Sequence, residues 1–270
     1  MPAIKDWLAD AVRQLSKVDI ASSNLDAEII LANALVQDRT YLHAHPEQII
    51  DTPQLELANV GLNQRLNRIP IAYITGYKEF YGRDFFVNSD VLIPRPESED
   101  IITILKEILP TTDHQLIDVG TGSGCLGITA KLEFPNLDVT LSDISDEALA
   151  VAQQNAQDLS ATVKIVKSDL LNSLQTKTDI IIANLPYVDQ TWQRSPETDY
   201  EPKLALFANK NGQAIIEELI IQASKLLTPN GYLIIEADPT QHASLTDFAQ
   251  KNTLEFKQKL GYIVAFKQHE

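Results

Sequence analysis

Leu116-Ile117-Asp118-Val119 runs directly into Gly120-Thr121-Gly122-Ser123-Gly124, and this passage constrains the fold more than any other. A short apolar run that turns through three glycines into a helical pattern reads as a buried strand whose backbone approaches a ligand closely. The next strand-like run, Val139-Thr140-Leu141-Ser142, ends in Asp143, 19 residues beyond Gly124. That spacing suits an acid that holds a ribose diol. By itself the glycine loop also fits a nicotinamide cofactor or a plain tight turn. Nicotinamide sites favour Gly-x-Gly-x-x-Gly, however, and the sixth position counted from Gly120 is Cys125.

From Pro110 onward, strand and helix patterns alternate. Strands are predicted at 115–119, 137–141, 163–167, 179–183 and 231–236, and helices at 123–134, 145–157, 211–227 and 239–251. A closing pair of strands near 253–258 and 261–267 supplies an antiparallel edge. Such alternation predicts an α/β fold. Its sheet is mostly parallel, helices cover both faces, and ligands lie at the carboxyl ends of the strands.

Residues 1–75 read differently. Trp7, Leu8, Val12 and Leu15 form one apolar helical stripe; Leu25, Ile29, Ile30 and Leu35 form another, with Asn24 as its expected N-cap. Asp51 or Thr52 is expected to cap a helix that carries Leu55, Leu57, Val60, Leu62 and Leu66. Strand signals are scarce, so a small helical bundle is predicted. Residues 76–96 read as a β-hairpin and linker. Glu79-Phe80-Tyr81 and Phe85-Phe86-Val87 flank Gly82-Arg83-Asp84, and Pro94 and Pro96 force an extended segment. Ser98 or a residue near it then opens a helix through Ile101, Ile102, Leu105 and Ile108, within an α/β domain spanning 97–270.

The chain has 270 residues and a net charge of −15, unevenly spread. Residues 1–89 carry 8 basic and 11 acidic side chains, and residues 90–270 carry 14 and 26. Neutralising phosphates takes Lys and Arg, so direct nucleic-acid binding is not expected of the larger part. Solubility is the plainer reading of the acidity. Met1 to Asp10 lacks a signal-peptide pattern, no apolar run approaches the roughly 18 residues of a membrane span, and Cys125 is the single cysteine. A cytoplasmic protein without membrane attachment is expected, working as a monomer. The five histidines show no metal-ligand grouping, so no metal is expected.

A second motif narrows the chemistry. Asp179-Ile180-Ile181-Ile182-Ala183 reads as a buried strand ending in Asn184-Leu185-Pro186-Tyr187. An acid-tipped glycine loop followed by Asn-x-Pro-Tyr resembles the S-adenosylmethionine-dependent methyltransferases that modify amino or amide nitrogens. The resemblance implies S-adenosylmethionine as cofactor, with Gly120, Thr121, Gly122, Ser123 and Gly124 beneath it and Asp143 on its ribose. Asp118 would orient the loop and reach the methionine part, or only cap the following turn. Asp169 would meet the adenine amino group and Leu170 the face of the ring, unless Asp169 is an ordinary exposed loop acid. Arg95 and Asn184 complete the cofactor set.

Asn184, Leu185, Pro186 and Tyr187 form the expected catalytic and substrate-binding set. An amide nitrogen is a poor nucleophile because its lone pair is delocalised into the carbonyl. The Asn184 side-chain oxygen and the Leu185 carbonyl would hold the NH₂ group and aim its lone pair at the methyl group. Pro186 fixes the turn, and Tyr187 packs on the planar group. No strong general base is needed, because the proton can leave once the nitrogen is cationic.

Further segments extend the likeness to most of the chain. Pro70-Ile71-Ala72-Tyr73-Ile74-Thr75-Gly76, Glu79-Phe80-Tyr81-Gly82 and Leu92-Ile93-Pro94-Arg95-Pro96-Glu97-Ser98-Glu99 resemble the HemK/PrmC family, as do Tyr200-Glu201-Pro202 and Leu204-Ala205-Leu206. That family comprises N5-glutamine methyltransferases acting on peptide chain release factors. It implies a seven-stranded Rossmann-like class I methyltransferase domain, a helical substrate-recognition domain at 1–75, and the glutamine of a Gly-Gly-Gln motif as the acceptor. The linker matches the release-factor branch except at Ser98, and differs from the Pro-Arg-Ser-Pro of a branch acting on a ribosomal protein. Departures are Leu185 for the family's first proline, Ala208-Asn209 for Gly-Gly, and Glu236-Ala237-Asp238 for Glu-Ile-Gly. Asn-Leu-Pro-Tyr also occurs in rRNA adenine dimethyltransferases, so adenine N6 methylation of RNA or DNA is the nearest rival. A cofactor-binding module without catalysis is a third reading.

Overall fold

A computed structural model describes residues 1–109, 114–189 and 191–269. The chain divides into two units, Met1–Tyr77 with Ser195–Tyr200, and Lys78–Arg194 with Glu201–Glu270.

The first unit is helical: α1 (Ile4–Lys17), α2 (Ser23–Leu35), α3 (Arg39–Ala44), α4 (Thr52–Leu66) and α5 (Ile71–Thr75). Trp7 and Leu15 of α1 are buried as their spacing predicts. Two expectations need correcting. Helix α2 begins at Ser23, so Asn24 lies inside its first turn rather than at the N-cap, and Leu25 is exposed. Because α2 packs against α1, α4 and α5, its buried surface wraps around the helix instead of forming a stripe. In α4, capped by Asp51 through the Gln54 N–H, Leu57 and Val60 point outward, and Ala58, Gly61, Leu62 and Arg65 face inward. Close packing selects that face: a Cβ on Gly61 would lie 2.9 Å from Ile30 Cγ2 of α2.

Buried Arg65 ties the unit together. Its Nε donates to Asp26 Oδ2 at 2.6 Å, and another guanidinium nitrogen donates to Glu197 Oε1 at 3.0 Å. Tyr200 also donates to the Asn67 carbonyl. Partners 132 residues apart carry no local sequence signal, which is why Ser195–Tyr200 was not predicted to join this unit.

In the second unit a hairpin, β1 (Tyr77–Phe80) and β2 (Arg83–Phe86), turns at Tyr81-Gly82 and leads through a 3₁₀ turn at Pro96–Ser98 into α6 (Glu99–Ile108). There follow β3 (His114–Val119), α7 (Cys125–Glu133), β4 (Leu137–Asp143), α8 (Asp146–Asp158), β5 (Lys164–Lys167) and β6 (Thr178–Ala183). After these come α9 (Lys203–Leu206), α10 (Ala214–Leu226), β7 (Leu227–Glu236), α11 (His242–Lys251), β8 (Leu254–Leu260) and β9 (Ile263–Gln268). Seven strands form one sheet in the order β5-β4-β3-β6-β7-β9-β8, parallel except at β9 and its pairings.

Leu116, Ile117, Ile180, Ile181 and Ile182 are buried, as central strands covered on both faces require. One face packs with Ile101, Leu105 and Ile128, the other with Leu219, Ile220 and Leu245. Strand β3 pairs with β4 on one side and β6 on the other, so the winding reverses between β3 and β6. The crevice outside that reversal is where open α/β sheets bind ligands. No helix among the described residues is long and apolar enough to cross a membrane.

Candidate active site

The loops at the carboxyl ends of β3, β4, β5 and β6 surround a cavity of about 270 Å³. Gly120, Thr121, Gly122, Ser123, Asp143, Asp169 and Leu170 line it, as do Arg95, Asn184, Leu185 and Pro186. Of the residues singled out in the sequence, Asp118, Gly124 and Tyr187 are not on its wall; they sit behind it.

Asp118, at the end of the buried strand β3, stands beneath the glycine loop. Its Oδ2 accepts from the Thr121 hydroxyl at 2.6 Å and the Gly127 N–H at 2.9 Å. Its Oδ1 is buried with no partner among the described residues. Burial pushes this carboxyl up to about 6, against the downward pull of those two hydrogen bonds. It thus orders the turn and retains one unused acceptor.

The glycine loop has backbone geometry that other residues rarely adopt. Gly120 has φ 68°, and Gly122 has φ 54° with open space where a Cβ would be. The Gly122 N–H donates to Asp143 Oδ2 at 3.0 Å, and the Ser145 N–H donates to Asp143 Oδ1 at 3.0 Å. Ser145 in turn caps α8 through the Ala148 N–H. Asp143 is therefore pinned between two loops with its carboxylate on the cavity. Asp169 is exposed on the rim, while half-buried Leu170 holds a left-handed φ of 49°.

Beyond β6, the Asn184 Nδ2 donates to Ser98 Oγ at 3.0 Å. Among the described residues nothing donates to Asn184 Oδ1 or to the Leu185 carbonyl. The Tyr187 hydroxyl donates to Glu236 Oε1 at 3.0 Å, and the Ser98 hydroxyl donates to Glu236 Oε2. Burial raises the Tyr187 phenol far above its ordinary range, with the Glu236 charge adding to the effect, so the phenol keeps its proton. The Gln241 Nε2 donates to the Tyr187 carbonyl at 3.0 Å and to the Asn211 carbonyl at 2.7 Å, which clamps the turn from behind.

Three supporting residues escaped the sequence reading. Ser98 was expected only to open a helix, yet its hydroxyl lies between Asn184 and Glu236. Glu201, 5% exposed, receives Arg95 at 2.6 Å and the Ile93 N–H at 3.2 Å, which fixes the Pro-Arg-Pro segment on the cavity wall. Asn155, 1% exposed, donates to the Ser123 and Phe86 carbonyls and accepts from the Phe86 N–H. A buried Asn inside a helix is the one signal that could have flagged it.

Comparisons with known proteins agree with this architecture. The Methyltransferase small domain family matches residues 100–198, and the PrmC N-terminal domain family matches residues 6–76. A release factor glutamine methyltransferase from Koribacter versatilis is 38% identical over 257 residues, 91% of each chain. One from Salmonella typhimurium is 37% identical, over 85% of this chain and 84% of its own. Among solved structures, a methyltransferase from Pyrococcus furiosus superposes with a TM-score of 0.56 at 20% identity, over 80% of this chain and 99% of its own. At that identity the likeness speaks to the fold.

Proposed function

The chain belongs to the release factor glutamine methyltransferases, and from that premise we propose that its cavity works with Asn184 holding the target amide. The reaction moves a methyl group from S-adenosylmethionine to the side-chain amide nitrogen of a glutamine in a peptide chain release factor. The observation that carries the role of Asn184 is that its Oδ1 and the Leu185 carbonyl, at the cavity-lining turn after β6, accept from no donor among the described residues.

The cavity suits a cationic donor. Asp90, Asp143, Asp169 and Glu218 line it against a single guanidinium, Arg95, which Glu201 already engages. When bound, S-adenosylmethionine supplies a methyl group on a positively charged sulfur. Asp143 is suited to the ribose hydroxyls, Gly120 and Gly122 to close backbone approach, and Asp169 and Leu170 to the adenine. Asp118, with an orphaned Oδ1, supports the loop from below.

Two acceptors on an amide NH₂ favour a geometry in which the nitrogen lone pair leaves conjugation and points at the electrophile. Asn184 Oδ1 and the Leu185 carbonyl provide them. Pro186 holds the turn, and Tyr187 braces it through Glu236. No residue abstracts a proton before transfer; water takes it from the cationic nitrogen afterwards. Leu185 in place of the family's proline leaves this scheme intact, because the acting group is the carbonyl.

Residues 1–75, most of which fall within the match to the PrmC N-terminal domain family at 6–76, are assigned to recognition of the protein substrate because the cavity is built without them. The enzyme should therefore use an intact release factor far better than a short peptide bearing its glutamine. A modifier of translation factors belongs in the cytoplasm.

Labelled methyl transfer to purified release factor, total RNA and DNA in parallel tests the proposal. Label in the release-factor glutamine is expected. Label in RNA or DNA without any in the release factor would transfer the assignment to adenine.

A further inference from the structure

We infer that Ser98 and Glu236 are positioning residues that determine which way the Asn184 amide faces. This deepens the reading of Asn184 as acceptor for the target amide and rests on it.

Glu236 is 1% exposed at the end of β7; burial raises its carboxyl while the hydrogen bonds from Ser98 and Tyr187 favour the charged form, which is an acceptor on both oxygens. Tyr187 gives its one hydroxyl proton to Oε1, and Ser98 gives its one to Oε2. With that proton committed, Ser98 Oγ has only lone pairs left for Asn184. The amide must then turn its NH₂ towards Ser98, which is the contact seen at 3.0 Å. Its carbonyl oxygen is thereby presented as an acceptor. The reverse orientation would set the Asn184 oxygen against the Ser98 lone pairs and offer an NH₂ to a target that is itself an NH₂. A single carboxylate, acting through one hydroxyl, thus fixes the polarity of the site without touching the substrate. Tyr187 shares the same anchor, so both ends of the Asn184–Tyr187 turn hang from Glu236.

Three variants and their combination test the chain. Ser98→Ala removes the link, so the Asn184 amide can face either way; kcat should fall about 10-fold with KM for the release factor and cofactor affinity little changed. Ser98→Thr, which keeps a hydroxyl, should restore most of that loss. In Glu236→Gln the new amide can donate to Ser98 as well as accept from it, so the direction is no longer imposed and kcat should fall severalfold. In the Ser98→Ala background, Glu236→Gln should add much less than it costs alone, because its influence on Asn184 passes through Ser98 and only its bond to Tyr187 remains. A readout independent of turnover is exchange of the Asn184 side-chain NH₂ protons by NMR, which should quicken in Ser98→Ala. Unchanged exchange and rate in Ser98→Ala, or additive losses in the double variant, would overturn the inference. Asn184→Ala serves as the reference. If it is defective while Ser98→Ala is not, the positioning role alone falls. If Asn184→Ala itself transfers at the full rate, the acceptor reading beneath it falls.

Discussion

The Leu185 side chain occupies the space that a side chain on Gly120 would need: a Cβ there would lie 2.6 Å from Leu185 Cδ2. The loop after β3 and the turn after β6 are thus packed against each other as well as facing one cavity. Gly120→Ala meets this overlap and also a left-handed φ of 68°, whose strain alone costs about 1–2 kcal/mol. Urea unfolding should show a loss at least that large. Adding Leu185→Ala should relieve the overlap but not the backbone strain, so recovery should be partial. Full stability in Gly120→Ala would contradict this packing.

Asp118 should make stability depend on pH. Its carboxyl titrates near 3.8 when exposed and about 6 in the folded chain, so folding favours the protonated form. Its contribution is complete below pH 4 and is lost as pH rises through 6, by on the order of 3 kcal/mol for about two pH units. Relative to Asp118→Asn, the wild type should lose roughly that much between pH 4 and pH 7 in denaturant titrations without cofactor. A flat difference would refute the burial argument.

Asp143 should matter more for the cofactor than for the fold. Asp143→Asn retains one acceptor oxygen, for the Gly122 or the Ser145 N–H but not both, and loses the charge that strengthens hydrogen bonds to hydroxyls. Such bonds are worth about 1.5–3 kcal/mol, so S-adenosylmethionine should bind about 10-fold or more weakly by calorimetry. Undiminished affinity would remove Asp143 from the cofactor site.

Arg65 should be the costliest polar residue to lose in the helical unit. Arg65→Ala strands buried Asp26 without its partner at 2.6 Å, and breaking a buried pair in this way costs about 3–5 kcal/mol. Burial alone would raise the Glu197 carboxyl, but hydrogen bonds from Ser195 and Arg65 outweigh it and hold it at about 2, so Glu197 stays charged through the physiological range. Thermal unfolding of the variant checks this; a drop of less than about 1 kcal/mol would show that the network is not buried in solution.

What the sequence revealed was local, and what it hid was long-range. The strand before Gly120, the acid at Asp143 and the turn at Asn184–Tyr187 were legible because each announces itself within a few residues. Leu57 and Val60 misled because hydrophobicity alone cannot say which side of α4 faces α2; Gly61, with Ile30 against it, selects the side. Ser98 and Glu236 are 138 residues apart, and only the sheet brings them together. The same holds for Arg65 and Glu197. Helix α10 starts at Ala214 rather than 211, after Gly212, whose φ of 81° brings it against the Tyr187 carbonyl, a contact that no periodicity reveals.

The central claim is that Asn184 holds a glutamine amide for methyl transfer. Single-turnover transfer from labelled S-adenosylmethionine to an intact release factor, comparing wild type with Asn184→Ala, measures it most directly. Losing one positioning contact of this kind is expected to slow transfer about 100-fold, with cofactor affinity falling far less and the label located on the glutamine of the Gly-Gly-Gln loop. Transfer at the wild-type rate by Asn184→Ala, or label anywhere other than that glutamine, would contradict the account.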